Sequence, residues 1–175
     1  KKIMAVSLEA RMTDISPSLP GTDANTEPST DSKFLMCNGV KPETIREILH
    51  ETGYQAIVED IEGGCHITSA SNGTRFYINL YAFDEGLKSY KRITISTSYT
   101  SDMNLDLSVP LMNRLNAQYS FIKGYVEDDG SISMQMDWLV GKGVSVAQLT
   151  QWISMWKAAL ILFEDYWAEY ENNKS

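Results

Sequence analysis

The last third of the chain carries an amphipathic stretch that leaves few folds open. From Val146, apolar side chains fall at Val146, Leu149, Ile153, Trp156, Leu160, Phe163, Trp167 and Tyr170, in steps of three and four along one helical stripe. A second stripe, Trp152, Met155, Ala159, Leu162 and Tyr166, runs beside it. At about 100° per residue the two cover roughly half the helix circumference, whereas packing on one sheet needs a stripe only somewhat over 100° wide. The first stripe can close a core, and the second needs a further cover. Either other parts of the chain supply that cover or a second protein does. On the latter alternative Trp152, Met155, Leu162 and Tyr166 offer the aromatic and Met content enriched in interface cores. A charged residue at Trp152 or Leu162 is then expected to break association and leave folding intact.

Composition excludes several classes. A chain of 175 residues with 43% hydrophobic content can bury one full core and is short for two. A net charge of -8, with no local Lys/Arg cluster, leaves little to neutralise a phosphate backbone, so nucleic acid is not an expected partner. No apolar run approaches the about 18 residues of a membrane span; even Ala158 to Phe163 is flanked by Lys157, Glu164 and Asp165. The front of the chain, Lys1-Lys2-Ile-Met-Ala-Val-Ser-Leu, starts like a signal peptide, but Glu9 and Arg11 cut the apolar run short. A cytoplasmic protein is expected, or a periplasmic one if a signal upstream of residue 1 has been removed. Two cysteines, Cys37 and Cys65, do not make a disulfide framework, although they are enough for one bridge.

Residues 1–33 read as a flexible N-terminal segment, because residues 13–32 are rich in Pro, Ser, Thr, Asp and Asn and almost free of apolar side chains. A single domain is expected over 34–175. Pro42 suits the first position of a helix, Ile45, Ile48 and Leu49 make its stripe, and Gly53 stops it. Tyr54 to Glu59, Cys65 to Ser69, Arg75 to Phe83 and Lys91 to Tyr99 alternate as strands, with hairpin turns at Glu62-Gly63-Gly64 and Ser71-Asn72-Gly73. Leu107 to Asn116 reads as a second helix with Pro110 in its first turn. Tyr119 to Glu127 and Ser131 to Leu139 flank Asp128-Asp129-Gly130 as a further hairpin, with Ile132, Met134, Met136 and Trp138 on its greasy face. Ser145 and Gln148 have capping-box spacing and open the last helix. The order α-β-β-β-β-α-β-β-α means an α+β fold, a mainly antiparallel sheet with helices packed on one face.

That order, with certain residues, resembles the YbjN family, a bacterial group described as sensory transduction regulators. The resemblance rests on Gly53-Tyr54, Arg75-Phe76-Tyr77-Ile78, Asn113 with Asn116, Tyr125 to Gly130, Met136-Asp137 and Gly143-Val144-Ser145, taken in order. It implies a fold like that of type III secretion chaperones, small dimeric α+β proteins that hold substrates as partly extended segments. Many relatives carry a cysteine pair around strands three and four; here Leu80-Tyr81-Ala82-Phe83 and Tyr90-Lys91-Arg92 contain none.

No motif specifies a reaction or calls for a cofactor. Cys37, His50, Cys65 and His66 are the strong zinc-type ligands, but their spacing fits no finger, and adjacent strand residues such as Cys65 and His66 point to opposite faces. Gly141 to Ser145 lacks the glycine and Lys-Ser/Thr pair of a phosphate loop, and Asp128-Asp129-Gly130 lacks the spaced oxygens of a calcium loop. Asp84, Glu85, Asp102 and Asp106 form no convergent acid–base pair. The expected function is a non-enzymatic protein-binding module, acting as a homodimer or on a protein or extended-peptide partner. Besides the second helical stripe, Tyr77, Asn79 and Tyr81 are candidate partner-binding residues on the sheet face away from the helices, beside Thr94, Ser96 and Ser98. The alternative is a small-molecule sensor with an apolar pocket lined by Met134, Met136, Trp138 and Trp156.

Overall fold

A computed structural model of the chain describes residues 36–99, 105–141 and 143–173, all within the unit Asp31–Ser175. The expected flexible segment, the boundary at Phe34, and Asp102 and Lys142 lie outside the described residues, as do the side chains of Asp106 and Tyr170. The order is β1 (Met36–Cys37), α1 (Pro42–Glu51), β2 (Ile57–Ile61), β3 (Gly64–Ser71), β4 (Thr74–Asp84), β5 (Ser89–Tyr99), α2 (Leu105–Gln118), β6 (Lys123–Val126), β7 (Ile132–Leu139), β8 (Val144–Ser145) and α3 (Val146–Asn173). The expected α+β class and the order of the helices and main strands are those observed. β1 and β8 add a small two-stranded sheet that the sequence reading did not contain.

The main sheet is antiparallel, in the order β2-β3-β4-β5-β7-β6. Its first four strands form the expected meander because short turns join them, of two residues between β2 and β3 and between β3 and β4, and of four between β4 and β5. Ser71 pairs with Thr74 across Asn72 and Gly73, both at positive φ, as a primed hairpin turn requires. Between β6 and β7 the Asp129 carboxylate accepts the backbone N–H of Ser131 at 2.9 Å and its hydroxyl at 2.6 Å, so its oxygen is engaged inside the turn.

Three boundaries differ from the sequence expectation. Tyr54 does not start a strand: its N–H bonds Leu49 O at 2.8 Å to finish α1, and its ring meets Phe76 edge-on. Tyr119 likewise prolongs a helix, its N–H bonding Leu115 O at 3.0 Å, so the expected strand from Tyr119 shrinks to Lys123–Val126. α2 begins two residues earlier than expected, which places Pro110 inside it, in its second turn. The Asn116 side-chain amide fixes α2 to β6, donating to Gly124 O at 2.8 Å and accepting Gly124 N–H at 2.7 Å. Gly124 permits this approach, since a Cβ there would stand 2.7 Å from Leu115 Cδ2 and 2.8 Å from Met112 Sδ.

The core lies between one face of the sheet and the three helices. From the sheet come Cys65, Ile67, Phe76, Ile78, Leu80, Ile93, Ile95, Met134 and Met136, all buried. α1 adds Ile45, Ile48 and Leu49, and α3 adds Leu149, Ile153, Trp156, Leu160 and Phe163, so the first helical stripe closes the core. Each such side chain stabilises the fold by about 1.5–3 kcal/mol on burial. The expected capping box opens α3: Ser145 N–H donates to Gln148 Oε1 at 3.0 Å, and Gln148 N–H donates to Ser145 Oγ at 3.2 Å.

Candidate functional site

Strand alternation determines what the other face of the sheet presents. Three rows cross it: Ile61, Gly64, Tyr81, Arg92 and Leu139; Glu59, His66, Asn79, Thr94 and Asp137; and Ile57, Thr68, Tyr77, Ser96 and Gln135. Tyr77, Asn79 and Tyr81 thus fall on neighbouring rows of one surface and are half-exposed. The His66 ring lies 5.1 Å from that of Tyr77, and its Nδ1 is 2.6 Å from Asn79 Oδ1, where Nδ1–H donates. The Arg92 guanidinium stands 6.0 Å from the Tyr81 ring centroid, within cation–π range.

Of the two acids in these rows, Glu59 and Asp137, the latter is already engaged. Asp137 accepts from Thr94 at 2.5 Å, Gln135 at 2.5 Å and Arg92 at 3.1 Å. Partial burial pushes its carboxyl up, but the hydrogen bonds from Thr94, Gln135 and Arg92, with the Arg92 charge, outweigh that and hold it below its ordinary value. Such a carboxylate is a poor proton acceptor at neutral pH. Asp84 and Glu85 are also held locally, by Leu87 N–H and by Lys88. Around this network the apolar side chains are bare: Leu139 is 80% exposed, Ile57 62% and Ile61 43%. The sequence reading did not single these out. Leu139 was findable, because it shares the parity of Gln135 and Asp137 rather than that of Met136 and Trp138.

The second helical stripe is largely covered from within the chain. Trp152 stacks on Trp138 of β7, ring centroids 5.1 Å apart and planes 5° from parallel. Tyr166 donates its hydroxyl to Gln118 Oε1 at 2.5 Å, and the Arg114 guanidinium lies 5.7 Å from its ring centroid, so α2 covers that end. Ala159 is buried, while Met155 and Leu162 are half-exposed.

Of the four residues named for a ligand pocket, three lie in the core and one lines a small cavity. Met134, Met136 and Trp156 are buried in the packed core. Trp138, with Trp152, Ile45, Ile78, Ile93, Ile95, Leu149 and Ile153, lines a cavity of about 10 Å³, room for about one water, whereas ligand pockets run to about 300–1,000 Å³. A cleft of about 320 Å³ lies elsewhere, at the surface, lined by residues that include Cys37, Asn38, Lys41, Thr44, Leu87 and Ser89.

Among the described residues no group of three His, Cys, Asp or Glu side chains is placed to hold a metal. Cys65 faces the core and His66 the open face, as strand alternation requires. Both cysteines are free thiols, Cys37 exposed and Cys65 buried. Burial, reinforced by the charges of Asp60 and Glu43, pushes the Cys65 thiol from 9.0 up to about 11. A thiol-specific disulfide reagent at pH 8 is therefore expected to titrate one cysteine in the native protein and the second only in denaturant. Because the folded-state value is raised, the thiol's contribution to stability is complete below pH 9.0 and is lost as pH rises through about 11. A Cys65→Val variant should show a shallower alkaline fall in its urea midpoint.

The fold and this surface define an α+β protein whose antiparallel sheet keeps one face free of the described helices. Residues 41–168 match the YbjN family, described as "Putative bacterial sensory transduction regulator". The match spans most of the chain, which belongs to the YbjN family. That description names regulation and no catalysed reaction. No curated protein matches the chain. Among the described residues no helix is long and apolar enough to cross a membrane.

Proposed function

We propose that this YbjN-family chain is a non-enzymatic regulator that works by holding a protein partner on the open face of its sheet. The supporting observation is the composition of that face: Tyr77 and Tyr81, half-exposed, lie among the bare Ile57, Ile61 and Leu139 and an engaged hydrogen-bond network. Aromatic and aliphatic anchors surrounded by polar groups are the usual make-up of a binding surface. The engaged Asp137 carboxylate fits a positioning role better than proton transfer. Homodimerisation is the form this takes if the partner is a second copy of the chain.

A photo-crosslinking residue placed at Asn79 tests the reading. Irradiation in cells is expected to give a discrete protein adduct, and the same probe at Asp128, in the β6–β7 turn, is expected to give none. A Tyr77→Ala/Tyr81→Ala double substitution should reduce the adduct at least about tenfold while shifting Tm by only a few degrees. An adduct whose mass is twice that of the chain supports the homodimeric form. No adduct, or equal adducts at both positions, overturns the proposal.

A further inference from the structure

The outermost strand beside this face has chemistry of its own. β2 is an edge of the main sheet, paired among the described residues with β3 alone. Its closing pair, Ile61 with Gly64, flanks the two-residue turn Glu62-Gly63. In such a hairpin the closing pair exchanges its backbone hydrogen bonds inward, and the pattern alternates along the ladder. Ile57, Glu59 and Ile61 therefore bond toward β3, and Val58 and Asp60 aim their N–H and C=O groups outward, where no strand among the described residues pairs with them.

The side chains restrict which strand that is. Ile57 and Ile61, 62% and 43% exposed, lie on the open face with Glu59 between them. From Glu47 to Thr74 the chain carries Glu47, Glu51, Glu59, Asp60 and Glu62 and no Lys or Arg. Glu59, Asp60 and Glu62 have no ion-pair partner among the described residues, whose ion pairs are Lys88–Glu85, Lys91–Asp84 and Arg92–Asp137. Two copies of β2 placed antiparallel, Val58 bonding Asp60, would set Glu59 opposite Glu59, and a shift of two residues toward the turn would set Asp60 opposite Asp60. Like charges directly opposite are destabilising, so this edge is set against its own copy.

We propose that β2 is a docking edge for an extended segment of another protein, one that alternates basic with apolar residues and adds to the sheet as a strand. The proposal rests on the reading of the open face as a partner-binding surface and names the chemistry of the partner there. Apolar residues of the segment cover Ile57 and Ile61, a Lys or Arg meets Glu59, and its backbone bonds Val58 and Asp60.

The experiment uses a fluorescein-labelled octapeptide of alternating lysine and valine, titrated into the full chain and followed by anisotropy. Binding is expected, with an alternating glutamate–valine peptide at least tenfold weaker. N-methylation of alternate amides of the lysine–valine peptide keeps its charge and removes its strand hydrogen bonds, and should weaken binding at least tenfold. Glu59→Lys should weaken the basic peptide at least tenfold and admit the acidic one. Val58→Pro removes an outward N–H, a change edge strands tolerate, and should weaken the peptide similarly with the melt retained. Equal binding of the N-methylated peptide, or binding unaffected by Glu59→Lys, overturns the proposal. A retained adduct at Asn79 without peptide binding sinks the docking edge and leaves the partner-binding face standing; peptide binding without an adduct at Asn79 does the reverse.

Discussion

Replacing Trp152 by Asp is expected to destabilise the fold by about 3–5 kcal/mol, the scale of a large aromatic truncation in a core. The indole lies flat on Trp138 at 5.1 Å and lines the small cavity between α3 and the sheet together with Ile45, Ile78, Ile93 and Ile95. Deleting it loses the stacking contact and opens space above those isoleucines. The carboxylate that replaces it is left beside apolar side chains with no cation in that lining. Domains are stable by only about 5–15 kcal/mol, and in this size range each kcal/mol moves Tm by about 2–4 °C. The melt followed by circular dichroism should therefore fall by about 10 °C or more, and Trp152→Phe should lose a smaller part. The sequence alone led to the opposite expectation, lost association with intact folding. An unchanged melt accompanied by a halved mass in light scattering would restore Trp152 to an interface.

Gly64→Ala is expected to cost about 2–3 kcal/mol, the overpacking penalty of a well-filled site. A Cβ at Gly64 would collide with the backbone carbonyl of Leu80 on β4 and stand 3.4 Å from Tyr81 Cδ1. A carbonyl held in the sheet cannot turn aside as a flexible side-chain end can, so β3 and β4 must separate locally. Gly63, one residue earlier, is needed for a different reason: its φ is +78°, and a Cβ there would meet nothing within 4 Å. Gly63→Asn should accordingly be almost neutral, since Asn tolerates that conformation. Chemical denaturation of the two variants separates the effects, and equal losses would disprove the assignment of Gly64 to crowding. Because Gly64 shares a row with Tyr81 and Leu139, the clash should also disturb the open face.

Much of this fold is legible before any coordinates. Asn72-Gly73 and Asp129-Gly130 state their turns because few residues accept positive φ, and Ser145 with Gln148 states the start of α3 because a capping box is local chemistry. The misplaced boundaries at Tyr54 and Tyr119 arise where tertiary contact overrides pattern. Both residues are β-formers by composition, yet Tyr54 is used to end α1 against Phe76, and Tyr119 is drawn into the end of α2. β1 and β8, two residues each, are too short to have a period. Of the surface, alternation placed Tyr77, Asn79 and Tyr81 together, but it did not reveal that Asp137 is engaged by three donors, because those donors come from β5 and β7, with Arg92 and Thr94 more than forty positions from it.

The sequence by itself determined the class, the order of the helices and main strands, the first stripe of the last helix as core and the two faces of the sheet. These follow from periods of 3.6 and 2.0 and from turn chemistry, which neighbours in the chain decide. Only the tertiary structure decided what covers the second stripe and which apolar residues remain bare. Trp152 finds Trp138 and Tyr166 finds Gln118, partners 14 and 48 positions away, while Ile57, Ile61 and Leu139 find none of the described helices over them. An apolar side chain in the sequence states its need for cover, and whether the fold meets that need depends on which surfaces the strand order brings within reach.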